Sequence, residues 1–161
     1  MPGVSNRTKL NVSPNEQDLW RVVSEVNRLP FAFVGAGLTR VEAHSVTNVD
    51  EWQPMLMTPT VDLDSIVAGG TSATIPSGGE GVYQFAFQMQ VSGAVSDVRV
   101  TVNGTDVVSA TLPVGVSTLR ISPPIRLDAG DVVRWERRSA SLLSTLNAGS
   151  MVSFHRLGLL P

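Results

Sequence analysis

An all-β sandwich or barrel carried behind one short helix is the fold class this sequence predicts. Three observations predict it. The chain holds one well-marked helix start, at Ser13-Pro14-Asn15-Glu16. From Phe31 onward its apolar period shortens to two. Its 14 glycines and 10 prolines break what remains into short segments.

Residues 1–12 are polar and carry no periodicity, which fits either a disordered tail or an arm that orders on a partner. Arg7, Lys9 and Leu10 are its candidate anchoring residues. Residues 13–30 follow as a capped helix. Ser13 is the N-cap, Pro14 fits the first helical position, Glu16 completes a capping box, and Pro30 ends the segment. Leu19, Val22, Val26 and Leu29 recur by three and four, a seam of two heptads. A lone helix of this length is marginal in water. It therefore either forms a short coiled coil around a symmetry axis or lies against its own β-domain. Trp20, off the seam, is a further anchoring candidate.

Residues 31–161 are expected to form about eight to ten strands. Phe31 to Val34 reads as a short apolar strand closed by the loop Gly35-Ala36-Gly37, and residues 39–49 alternate weakly. Val61, Leu63 and Ser65 mark a strand between prolines. The clearest strand is Tyr83 to Val91. It sets Tyr83, Phe85, Phe87, Met89 and Val91 on one face and Gln84, Ala86, Gln88 and Gln90 on the other. The uncharged second face fits a subunit contact. Asn103-Gly104 between valine-rich runs is a hairpin signal. Leu119 and Ile121 mark a further strand, Leu127 to Asp131 a tight turn into Val132–Trp135, and Met151 to Leu160 the last strand.

Composition narrows the function. Charged residues are 16% of the chain and hydrophobic ones 42%, which suits a protein that buries surface against copies of itself. A net charge of −2 supplies no field for nucleic acid. The run Arg134, Arg137, Arg138 reads as a solvated or interfacial strand face. Without cysteine there is no disulfide, thiolate or zinc-thiolate chemistry. No apolar run reaches the roughly 18 residues of a helical membrane span, and the first ten residues lack the apolar core of a signal peptide.

No set of residues points to catalysis, metal or cofactor. His44 and His155 have no ligand partners at strand spacing. Asp62 and Asp64 read as surface charge, and Asp128 and Asp131 as turn residues. Gly35–Gly37 and Gly78–Gly81 lack dinucleotide or phosphate-loop spacing. Trp52, in a Glu-Trp-Gln-Pro loop, is the candidate for surface recognition.

One resemblance adds to this reading. It is carried, in order, by Gly81-Val82-Tyr83-Gln84-Phe85, the hairpin at Asn103-Gly104, Leu127-Asp128-Ala129-Gly130-Asp131-Val132-Val133, and Phe154 followed by Gly158-Leu159-Leu160. Over about residues 72–160 this pattern resembles the C1q/TNF-like jelly-roll family. The resemblance implies a two-sheet antiparallel jelly-roll sandwich that forms homotrimers and binds macromolecules. Together with the helix seam of Leu19, Val22, Val26 and Leu29, it makes Tyr83, Phe85, Phe87, Met89, Trp135 and Phe154 the expected core or trimer contacts. A helix-plus-jelly-roll of this size is also similar to bacteriophage virion proteins. The expectation is a non-enzymatic capsid decoration or head-fibre protein on the particle surface, partnered by itself and by the major capsid protein or another virion protein. The alternative is a tail-fibre tip that binds a receptor or host-surface glycan.

Overall fold

The structure is a computed structural model and describes residues 35–63 and 66–158. The expected arm, the helix and the Phe31–Val34 strand lie outside the described residues, as do Asp64, Leu159 and Leu160. So do Arg7, Lys9, Leu10, Leu19, Trp20, Val22, Val26 and Leu29.

The described residues form strands and no helix. In chain order the strands are β1 (Gly35–Thr39), β2 (His44–Ser45), β3 (Gln53–Pro54), β4 (Thr58–Leu63), β5 (Val67–Ala68), β6 (Ser72–Thr74), β7 (Gly81–Met89) and β8 (Val91–Ser92). They continue with β9 (Ser96–Val102), β10 (Thr105–Leu112), β11 (Thr118–Ile121), β12 (Ile125–Leu127), β13 (Val132–Arg138), β14 (Thr145–Leu146) and β15 (Met151–Gly158). Five of these, β2, β3, β5, β8 and β14, are two residues long, too short to show any periodicity in the sequence. The other ten meet the upper end of the expected number.

All strand pairing within the sheets is antiparallel. The first sheet runs β11-β7-β15-β1-β4, with β12 also on β7. The second runs β10-β9-β13-β6-β5, with β3 also on β13. A small third sheet, β2-β14-β8, completes the set. Neighbours in sheet order are mostly distant in sequence, so the architecture depends on long-range pairing.

One core, drawn from both large sheets, holds the domain together. Strand β7 supplies Tyr83, Phe85, Phe87 and Met89, and β15 adds Val152 and Phe154. Val98, Val100, Val133 and Trp135 come from the second sheet. Phe85 stacks on Phe154 with ring centres 5.7 Å apart, and the tilted Tyr83 ring lies 6.5 Å from Phe154. Two buried polar tips are satisfied by backbone, as burial requires. The Trp135 indole N–H donates to the Gly70 carbonyl at 2.9 Å, and the Tyr83 hydroxyl donates to the Gly79 carbonyl.

The Asn103-Gly104 turn joins β9 to β10 with both residues at positive φ, 50° and 83°, as a two-residue hairpin of the primed type demands. Three local expectations are corrected. Gly35-Ala36-Gly37 is strand, not a closing loop. A side chain on Gly35 would meet the Phe154 carbonyl oxygen of β15 at 2.4 Å, so glycine here permits close strand approach. Of residues 39–49, Thr39 ends β1 and the rest hold only the short β2, with Val41 and Val49 exposed. The Arg40 side chain donates to the carbonyls of Glu42 and Leu56 and fixes the chain there in a turn. Finally, the three arginines of β13 do not share one face: Arg134 is exposed and Arg138 half-buried, while Arg137 is only 2% exposed. Strand alternation puts Arg137 with Val133 and Trp135.

Candidate functional site

The outer faces of the two large sheets differ in chemistry, and that difference locates the candidate interaction surface. On the first sheet, pairing sets the outward residues in rows. One row reads Leu119, Gln88, Met151, Thr39, Thr58, and the next Ile121, Ala86, Ser153, Gly37, Val61. Gln84 and His155 begin a third. These two rows hold no formal charge. Leu119 and Ile121 are 54% and 56% exposed, and Val61, Met151 and Leu157 are exposed as well. Ala86, Gln88, Leu119, Met151 and Ser153 surround a shallow depression of about 110 Å³ with Phe87 at its base. Exposed apolar side chains set among uncharged polar groups make this face the candidate interaction surface.

The outer face of the second sheet is charged and paired within itself. Arg99 on β9 bridges Asp106 at 3.1 Å and Glu136 at 2.8 Å. Arg138 on β13 pairs with Asp97 at 3.0 Å, and the Thr111 hydroxyl donates to the same Asp97 carboxylate at 2.7 Å. The Thr111 hydroxyl and the Arg138 guanidinium hold Asp97 below the usual carboxylate range, against the opposing pull of burial. Trp52, just ahead of β3, lies against this network. The Arg99 and Arg138 guanidinium carbons are 4.0 and 4.8 Å from its ring centre. Trp52 is therefore half-buried rather than a free loop aromatic.

A third feature lies where β13 meets the small sheet. The buried Arg137 guanidinium donates to the carbonyls of His44 and Ser144, at 2.8 and 3.3 Å. Burial, and then the charge of Arg40, pulls Arg137 down to about 10. The His44 imidazole is held below its ordinary 6.5 by burial, then by Arg137 and Arg40. Because His44 is depressed in the folded state, the unfolded chain takes up its proton first as pH falls through 6.5. Stability present above that value is then lost toward the folded pKa. The expected result is a melting temperature that falls as the pH is lowered below about 6.5. His44→Gln should flatten that segment of the profile, and equal slopes for the two proteins would contradict it.

Tyr83, Phe85, Phe87, Met89, Trp135 and Phe154 are all in the core between the sheets. Covered within the chain, these side chains offer no surface to another molecule, whereas their alternating neighbours on β7 and β15 face outward. Leu119, Ile121, Met151 and Val61 are the residues sequence reasoning did not assign. The alternation of Met151, Ser153, His155 and Leu157 against buried Val152, Phe154 and Arg156 was the available signal. Asp62 serves structure, its carboxylate accepting from the backbone N–H groups of Ile66 and Val67. Asp128 and Asp131 share a turn in which Asp131 accepts from the Asp128 amide and the Asn103 side chain. Among the described residues, no three His, Asp or Glu side chains converge as metal ligands.

No protein-family model matches the chain, and no curated protein matches it by sequence. Solved structures do. Murine APRIL at pH 5.0 superposes with a TM-score of 0.56 at 14% identity, over 78% of this chain and 99% of that one. The globular domain of a zebrafish complement 1qA protein gives 0.57 at 17%, over 79% and 99%. Eiger TNF from S. frugiperda gives 0.55 at 15%, over 81% and 96%. The sheets described above are thus those of the C1q/TNF-like jelly roll, and that is the fold of this chain.

Proposed function

We propose that this chain is a non-enzymatic, homotrimeric structural protein of a virus particle, a capsid decoration or head-fibre protein anchored by residues 1–12 and by residues 13–30, where the sequence predicts a helix. One observation carries the self-association. The chain pairs charges across one sheet and leaves two rows of the other sheet's outer face uncharged and studded with Leu119, Ile121, Met151 and Val61, with Arg126 and its partner Asp128 at the β12 end. A face so composed is stable in water when a copy covers it. Threefold symmetry rests on the family resemblance, and carriage on a particle on the likeness to virion proteins together with the anchor-like N-terminal segment.

Sedimentation at micromolar concentration is expected to give three times the 17.2 kDa chain mass. A 17.2 kDa species would overturn the trimer. Removing residues 1–12 should leave the melting temperature nearly unchanged and abolish loading onto the particle. Normal loading of the truncated protein would show that the arm is not the anchor. Cryo-electron microscopy of the particle should place the protein's density on the head, and density on the tail would favour the fibre-tip reading.

A further inference from the structure

The charged face carries a second site. Between the Trp52 loop and strands β9 and β10 lies an open cleft of about 290 Å³, lined by Trp52, Asp97, Asp106, Ser109, Thr111 and Arg138. A tryptophan that only braced two arginines would need no such space beside it. Here the indole forms part of the wall, fixed by Arg99 and Arg138. Those arginines are themselves fixed by Asp106, Glu136 and Asp97. The wall is therefore organised before any ligand arrives, which removes part of the ordering cost of binding.

Its chemistry selects the ligand. Asp97, Asp106 and Arg138 line the cleft, and Arg99 and Glu136 belong to the same ion-pair network beside it, so the site is close to neutral with a slight negative excess. An anionic ligand would face the carboxylates, and a cationic one would compete with arginines already in place. Each carboxylate still has acceptor positions beyond its present bonds, because an ionised carboxylate offers about four. The hydroxyls of Ser109 and Thr111 stand on the same strand, β10, at alternate positions of one face. What fits is an uncharged molecule with an apolar C–H face for the indole and several hydroxyls to donate. We infer that this cleft binds an uncharged saccharide, with Trp52 as the stacking surface and Asp106, Ser109 and Thr111 as the rim that reads its hydroxyls. The site lies on the sheet opposite the proposed subunit contact. A trimer leaves it open and presents three copies, so weak single-site binding becomes avid on a surface displaying many sugars.

The test uses the full-length protein. Saturation-transfer NMR and tryptophan fluorescence follow titration with the methyl glycosides of glucose, galactose, mannose and N-acetylglucosamine. Sialyllactose and a hexose phosphate serve as charged comparators, and an array of immobilised oligosaccharides tests displayed glycans. At least one uncharged sugar should bind saturably, and the charged comparators at least about tenfold more weakly. Binding in solution identifies a free sugar as sufficient, whereas binding on the array alone identifies a displayed glycan gripped at several sites. Trp52→Ala should weaken binding at least about tenfold, and so should Ser109→Trp, which fills the cleft from an exposed position opposite Arg99 and removes no charged group. Both variants should keep the parent's sedimentation. Should Trp52→Ala fail to fold, Ser109→Trp decides. Absence of any uncharged ligand in both formats, preference for a charged comparator, or undiminished binding by Ser109→Trp would each overturn the assignment, whatever the oligomeric state proves to be.

Discussion

Phe85→Ala is expected to cost about 3–5 kcal/mol of folding stability, the range for truncating a buried phenylalanine. Phe85 has no exposed surface and stacks on Phe154 with an interplanar angle of 26°. Its neighbours on the same face of β7, Tyr83 and Phe87, are as deeply buried. The backbone around it is also committed. The Phe85 N–H donates to the Ser122 hydroxyl at 3.1 Å, and the Ser122 N–H donates to the Phe85 carbonyl at 2.8 Å. The surroundings cannot collapse freely into the space left, so the cavity adds to the lost transfer energy. The loss is a large part of the roughly 5–15 kcal/mol that separates a folded domain from its unfolded chain. Gln88→Ala is the comparison. Gln88 is exposed on the outer face, where its amide donates to the Ser117 hydroxyl, and its removal should cost folding less than about 0.5 kcal/mol. Denaturant unfolding of both variants, at one fixed protein concentration with oligomer size recorded, separates the two effects. Equal small losses would contradict the inward direction of Phe85.

What the sequence disclosed was local. The alternation along β7 and the Asn103-Gly104 turn each express a rule that acts within a few residues, and both appear as expected. The same rule, applied to β13, already placed Arg137 with Val133 and Trp135. Its burial was legible, but a cluster of arginines invited a reading by charge instead of by parity. Other features were not legible because they are set by distant chain. Gly35-Ala36-Gly37 looks like a loop until β15 is known to pass within contact of Gly35. The ion-pair network exists because β9 lies between β10 and β13, which brings Arg99 to Glu136 across 37 residues and Arg138 to Asp97 across 41. Leu119 and Ile121 showed in the sequence only that a strand runs there. They face outward because β11 pairs with β7 in a register that sets them opposite Gln88 and Ala86. The candidate contact face was thus half visible, in the glutamines of β7, and half a product of register.

Ala86→Arg should dissociate the assembly without unfolding the chain. Ala86 sits within the uncharged face, with Ile121 beside it on β11 and Ser153 beside it on β15. It also borders the shallow depression between Leu119 and Met151. In an isolated chain an arginine here reaches solvent along the sheet surface, and folding changes by about 0.5 kcal/mol or less. In a symmetric trimer the same substitution occurs three times around one axis. Each guanidinium then loses water, and the uncharged rows around it supply no carboxylate to pair with it. The penalty for burying an uncompensated charge is several kcal/mol. Self-association should therefore weaken at least about a hundredfold, while near-ultraviolet circular dichroism, which reports the packed Trp135 and Tyr83, stays unchanged. Arg134→Glu is the matched control. Arg134 is exposed on the charged sheet, so reversing its charge alters the surface as much but should leave the sedimentation coefficient alone. Dissociation by Arg134→Glu with Ala86→Arg still trimeric would move the subunit contact to the charged sheet, and would also place the Trp52 cleft inside it.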